Sequence, residues 1–186
     1  MLLRRTEDGA KLLEERRRQD IALGNNYFLA GTDSAVGVCK VLQGNISEGI
    51  HFIEHAILKR ESEGYRVAAD WYRLILCEVY LQIIAGNEKL PLPVLLRNLP
   101  ILLTVIVTAS GRIRTWVAHV IENPQFDPNG HFVGWANMIL GLLYKIKKKH
   151  TLAVQHLTEA RRILSEFGPS PMLARIETAL AEIHKV

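Results

Sequence analysis

Apolar residues recur along this chain at steps of three and four. Ile46, Ile50, Ile53 and Ile57 make one such stripe, with Ala56 on the same side; Trp71, Leu74, Ile75 and Val79 make another. That spacing lines one face of an α-helix. No two-residue alternation of the kind a half-buried strand needs is evident. The breaks between stripes are marked by Gly24-Asn25, Gly44-Asn45, Gly64 and Gly86-Asn87, while all seven Pro lie between positions 91 and 171. Ser47 before Glu48 reads as a helix start and Gly168 before Pro169 as a stop. Nine helices are predicted, over 1–22, 25–43, 46–63, 65–85, 92–109, 111–122, 131–147, 150–167 and 170–185. Helices joined by short turns predict an all-α stack of antiparallel pairs.

Leu90 to Ala109 is the most apolar stretch. Arg97 and Asn98 interrupt it, as do Pro91, Pro93 and Pro100, so the longest uncharged core, Leu99 to Ala109, has 11 residues. A membrane-spanning helix needs about 20. The expectation is a helix buried on all sides, with a strand over Ile101–Thr108 as the lesser alternative.

An internal repeat appears when Val38–Lys59 is slid by 104 residues onto Leu142–Ile163. Gly37 then falls on Gly141, Gly49 on Ala153, Ile53 on Leu157 and Ala56 on Ala160. Small residues let two paired helices approach, and a large one fills the gap beside them. The positions resemble the tetratricopeptide pattern. The last repeat reads Asn137, Leu140-Gly141, Tyr144, Ala153, Leu157, Ala160, with the leading aromatic and the Phe changed. The first keeps Val36-Gly37, Gly49, Ile53 and Ala56 but has Lys40 where Tyr is usual; a middle one shows Leu76-Cys77 and Tyr80 before the prolines. The expected architecture is one domain over 1–186, a right-handed superhelical stack with pairs near 25–63, 65–109 and 131–167. An irregular region at 87–130 and a terminal helix at 170–185 complete it.

The phrases QGNISEGI, RVAADWYRLILCEVYLQIIAG and LGLLYKIKKKHTLAVQHLTEARRIL resemble a more particular family. This is the helical repeat region at the C-terminal end of bacterial adenylate/guanylate cyclase-domain proteins, where a cyclase domain and an ATPase module precede the repeats. The resemblance implies a regulatory or partner-binding end of a larger signalling protein. The alternative is a nucleic-acid-associated helical module of a transcription regulator.

A hydrophobic share of 48% argues against disorder, and a net charge of +4 falls short of a dedicated nucleic-acid binder. Cys39 and Cys77 make no disulfide framework. The polar turn after Met-Leu-Leu-Arg-Arg does not read as a signal peptide, so the expected location is cytoplasmic.

Candidate chemistry is sparse. His51-Phe-Ile-Glu54-His55 spells H-x-x-E-H, which would set two imidazoles on one helical face, with Glu122 as a guessed third zinc ligand. The repeat register instead turns Ile53 and Ala56 inward and both His outward. Lys145 and Lys147–Lys149, next to His150, form a basic run at a predicted turn, without the interleaved aromatics of a single-strand binder. Arg16, Arg17 and Arg18 after Glu14 and Glu15 read as a solvated face with local pairs. Both thiols read as structural, and no phosphate-binding glycine loop exists. No catalytic, cofactor or metal residue is assigned.

The expected partner is a protein or peptide, held in a groove built by the first helices of successive pairs. By register the groove takes Trp71, Leu74, Glu78 and Leu81 from one pair, and Trp135, Met138, Leu142 and Lys145 from another. Specific nucleic acid and membrane are not expected. Helix 1–22 lacks an upstream mate for Leu2, Leu3, Leu12, Leu13 and Ile21, which suggests a homodimer through that helix.

Overall fold

In the computed structural model, residues 2–86 and 91–185 are described, with side chains from Glu7 onward. Eight helices are found among them: α1 (Leu2–Ala22), α2 (Asn26–Leu42), α3 (Ile46–Ser62), α4 (Arg66–Ala85), α5 (Leu92–Glu122), α6 (His131–Ile146), α7 (His150–Ser165) and α8 (Pro171–Ile183). No strand occurs among the described residues, Ile101–Thr108 included.

One turn design closes most of the short connections. After α2, the N–H of Gly44 donates to the Val41 carbonyl and that of Asn45 to the Lys40 carbonyl. Gly44 sits at φ +81°, where only a residue without a Cβ is unstrained. The same two bonds recur after α1 at Gly24 and Asn25, and after α3 at Gly64 and Tyr65. After α6 they are made by Lys148 and Lys149. Lys148 takes φ 56° there, the one described non-glycine residue with positive φ. The glycine punctuation of the first 90 residues is therefore a set of helix C-terminal caps.

The chain divides into two compact units, Met1–Val79 with Glu88–Thr104, and Tyr80–Asn87 with Val105–Val186. In the first, α1 packs on α2 and α2 on α3, around Val36, Ile50, Ile53, Ala56 and Leu74. In the second, α6 packs on α7, and α8 on both, around Met138, Ile139, Leu143, Leu157 and Ile163. Within each helix pair picked out by the 104-residue offset, a glycine of the first helix lies directly against the second. A Cβ on Gly37 would come within 2.7 Å of the Gly49 carbonyl oxygen, and one on Gly141 within 2.5 Å of Leu157 Cγ. Ala56, Ala153 and Ala160 are fully buried.

Two expectations for 87–130 need correction. The predicted break at residue 110 is absent: α5 runs unbroken from Leu92 to Glu122 through Pro100. Gly111 disfavours a helix interior by only about 1 kcal/mol and removes no hydrogen bond. Pro91 and Pro93 lie before and within its first turn, where proline is tolerated. Nor is this helix buried on all sides. Leu96 is 64% exposed, Leu103 54% and Val107 80%. The part of that region at 87–90 lies outside the described residues.

Candidate functional site

The buried face of α5 explains the polar pair inside the apolar run. Asn98, 2% exposed, reaches the α2–α3 turn. Its Nδ2 donates to the Gly44 carbonyl (2.8 Å) and to the Val94 carbonyl (2.8 Å), and its Oδ1 accepts from the Ser47 N–H (3.1 Å). Arg97 adds a second donor to the Gly44 carbonyl at 2.8 Å. One side chain thus supplies the turn's carbonyl and one of the orphan N–H groups of α3, whose N-cap Asn45 makes no side-chain cap bond.

The proposed groove residues fall into two groups. Leu74 and Leu81 on α4, and Trp135, Met138 and Leu142 on α6, are all buried. Trp71 is 47% exposed and stacks on Tyr72 at 6.0 Å between ring centroids. Glu78 is half-buried, and Lys145 pairs with Glu182 of α8. Trp71 is therefore the large apolar member of the set that a partner can reach.

Sequence reasoning overlooked a polar layer at the position where the tetratricopeptide pattern has its leading aromatic. Asp33, Arg73 and Asn137 stand there. Asp33, 2% exposed, accepts from Arg17 Nε of α1 at 2.6 Å and lies 3.8 Å from His55 Nδ1 of α3. Arg73 bonds Asp70 at 2.6 Å and also pairs with Glu61 of α3. Asn137 donates to the Val133 carbonyl (3.0 Å), and its Oδ1 lies 2.9 Å from His156 Nδ1. The amide oxygen can only accept, so His156 carries its proton on Nδ1. Burial pushes the His156 pKa below its ordinary value. The signal was available: a polar residue at each of three aligned positions.

Arg17 accordingly departs from the expected solvated face. It ties α1 to α2 and lies over the Phe52 ring at 5.3 Å, whereas Arg16–Asp20 and Arg18–Glu15 are the local pairs. Two more cations are held between rings. Arg60 lies 4.8 Å from Tyr27 and 5.3 Å from Tyr65; Arg112 lies 4.6 Å from Trp116 and donates to Tyr80 Oη at 2.6 Å.

His51 and His55 are exposed on α3, Glu54 is half-buried beside them and Glu122 is exposed at the end of α5. No cluster of three His, Cys, Asp or Glu able to hold a metal occurs among the described residues. Lys147, Lys148 and Lys149 are exposed at the α6–α7 turn. Cys77 is fully buried, and burial pushes the Cys39 thiol pKa up, away from the reactive thiolate. α5 is the one described helix long and apolar enough to cross a membrane. No family model, curated protein or solved structure matches the chain.

Proposed function

We propose that this chain is a non-catalytic protein–protein interaction and regulatory domain. In this reading it is a tetratricopeptide-like, right-handed stack of helix pairs, forming the C-terminal part of a larger cytoplasmic bacterial signalling protein such as an adenylate/guanylate cyclase. The observation that carries it is the repeated hairpin. Helices α2–α3 and α6–α7 share turn bonds and small positions at an offset of 104 residues, and their helix ends keep that offset to within one residue. The seating of α8 on both α6 and α7 is what a next helix in such a stack would do. Trp71 is the anchor offered to a peptide or helix, since exposed Trp is a favoured centre of binding energy.

The test places a photo-crosslinking amino acid at position 71 and expresses the chain in a bacterial cytoplasm. A discrete protein adduct is expected, lost when the flanking Tyr72 and Glu78 are changed to Ala. No adduct, together with nucleotide turnover by the purified chain, would overturn the reading. The nucleic-acid alternative draws on exposed Lys147–Lys149 alone. It requires oligonucleotide binding that survives physiological salt, whereas a few phosphate contacts fade steeply with salt.

A further inference from the structure

The outer face of α5 is an apolar seam with the spacing of a helix–helix contact. Leu92, Leu96, Leu99, Leu103 and Ile106 follow one another at steps of four, three, four and three, and each is between 47% and 66% exposed. That rhythm is the a/d repeat of paired helices. Leu95 and Val107 flank the seam and are exposed too. The opposite side of the helix is already occupied: Asn98, Leu102, Val105 and Ala109 are buried. A helix apolar all round belongs in an interior, and among the described residues nothing covers the outer face of α5.

We propose that a second copy of this chain covers the seam, with the two α5 helices packed antiparallel about a twofold axis at Leu99. Leu99 then meets its own symmetry mate, Leu96 meets Leu103 of the partner, and Leu92 meets Ile106 of the partner.

Three observations select this occupant. The first is charge. The seam carries no ionised side chain, and the nearest, Arg97, is tied to the Gly44 carbonyl. Self-pairing therefore brings no like charges together, although the chain carries +4. The second is area. Seven side chains between 39% and 80% exposed present on the order of 600–700 Å² of apolar surface, approaching the roughly 800 Å² per partner of a standard interface. The third is the spacing itself, which fits a helix and not a flat lipid surface. An in-plane lipid anchor has a Lys/Arg-rich polar face, and Arg97 is the one basic residue between 92 and 111. Spanning a bilayer would carry Arg97 into hydrocarbon and strip Asn98 from the turn it caps.

The α1 stripe is the competing seam. Leu12 is 72% and Ile21 52% exposed there, but Glu14, Glu15, Arg16 and Arg18 are exposed among them.

The experiment is sedimentation equilibrium of the full chain from about 1 to 100 μM, with circular dichroism confirming helicity of each variant. The parent should sediment at twice the 21.0 kDa of one chain. Leu96→Glu with Leu103→Glu should raise the dissociation constant at least 100-fold, while Leu12→Glu with Leu13→Glu should leave it unchanged. Under mild oxidant, Leu99→Cys should form a self-disulfide in high yield and Leu92→Cys should not. A monomeric parent throughout the range would overturn the proposal. So would dissociation by the α1 variant alone, which would place the seam on α1. Uptake of a monomeric parent by phosphatidylcholine/phosphatidylglycerol vesicles, abolished by Leu96→Glu with Leu103→Glu, would overturn it in favour of a lipid surface.

Discussion

The helix pairs α2–α3 and α6–α7 share a backbone and differ in chemistry. Their turns make the same two hydrogen bonds, and in each a glycine of the first helix lies directly against the second. Away from the crossing, equivalent positions have changed in kind. Lys40 lies over the Phe52 ring at 5.5 Å in the first pair; Tyr144 stacks on His156 at 5.5 Å in the last. Asp33 holds an arginine of α1, where Asn137 holds a neutral histidine. One layer is charged and reaches a neighbouring helix; the other is neutral and stays within its pair. The difference teaches that close approach at the crossing sets the hairpin, because a backbone atom cannot move aside. Side chains at the rim are free to exchange one attraction for another.

The comparison is broken most severely at the crossing. Gly37→Ala drives a methyl against the Gly49 carbonyl oxygen, so the two backbones must part. We expect a loss of about 2–3 kcal/mol, read from the urea midpoint. Gly141→Ala meets Leu157 Cγ at 2.5 Å, with the nearest backbone atom, the Leu157 nitrogen, further off at 3.0 Å, and should cost about 1 kcal/mol less. Equal losses would show that backbone contact is not what distinguishes the pairs.

A smaller effect sits at the turns. Lys148 holds the left-handed conformation that Gly44 adopts without strain. Lys148→Gly should stabilise by about 0.5–1 kcal/mol, the strain relieved less the added freedom of the unfolded chain. Gly44→Ala should destabilise by about 1 kcal/mol or more. Thermal denaturation of both variants checks the opposite signs.

The smallest effect sharpens the contrast between the polar layers. The folded-state pKa of His156 lies below its ordinary value of 6.5 because burial disfavours the charged ring. The folded form therefore binds this proton less readily than the unfolded one. The stabilisation is complete above pH 6.5 and is lost as pH falls from there through the lowered pKa. His156→Phe, which installs the residue of the first pair, should flatten the decline in stability between pH 7 and 5. An unchanged slope would remove His156 as its source.

Helix identity was legible in the sequence because apolar spacing, glycine caps and small crossing residues are local signals. The eight observed helices begin and end close to the predicted bounds except at 110, where one glycine was too weak a breaker. The packing of α2 on α3, and of α6 on α7, was legible too, since Gly37, Gly49 and Gly141 leave room that only an opposing helix can take. Exposure was decided by tertiary structure alone. Periodicity says which residues share a face of a helix, not whether another element covers that face. For that reason Leu74, Met138 and Leu142, aligned with Trp71 by register, lie buried while Trp71 does not. Likewise the apolar run of α5 read as interior, yet one side caps a turn through Asn98 and the other stands uncovered. Hydrophobicity is carried by the chain, but burial depends on what the fold sets opposite it.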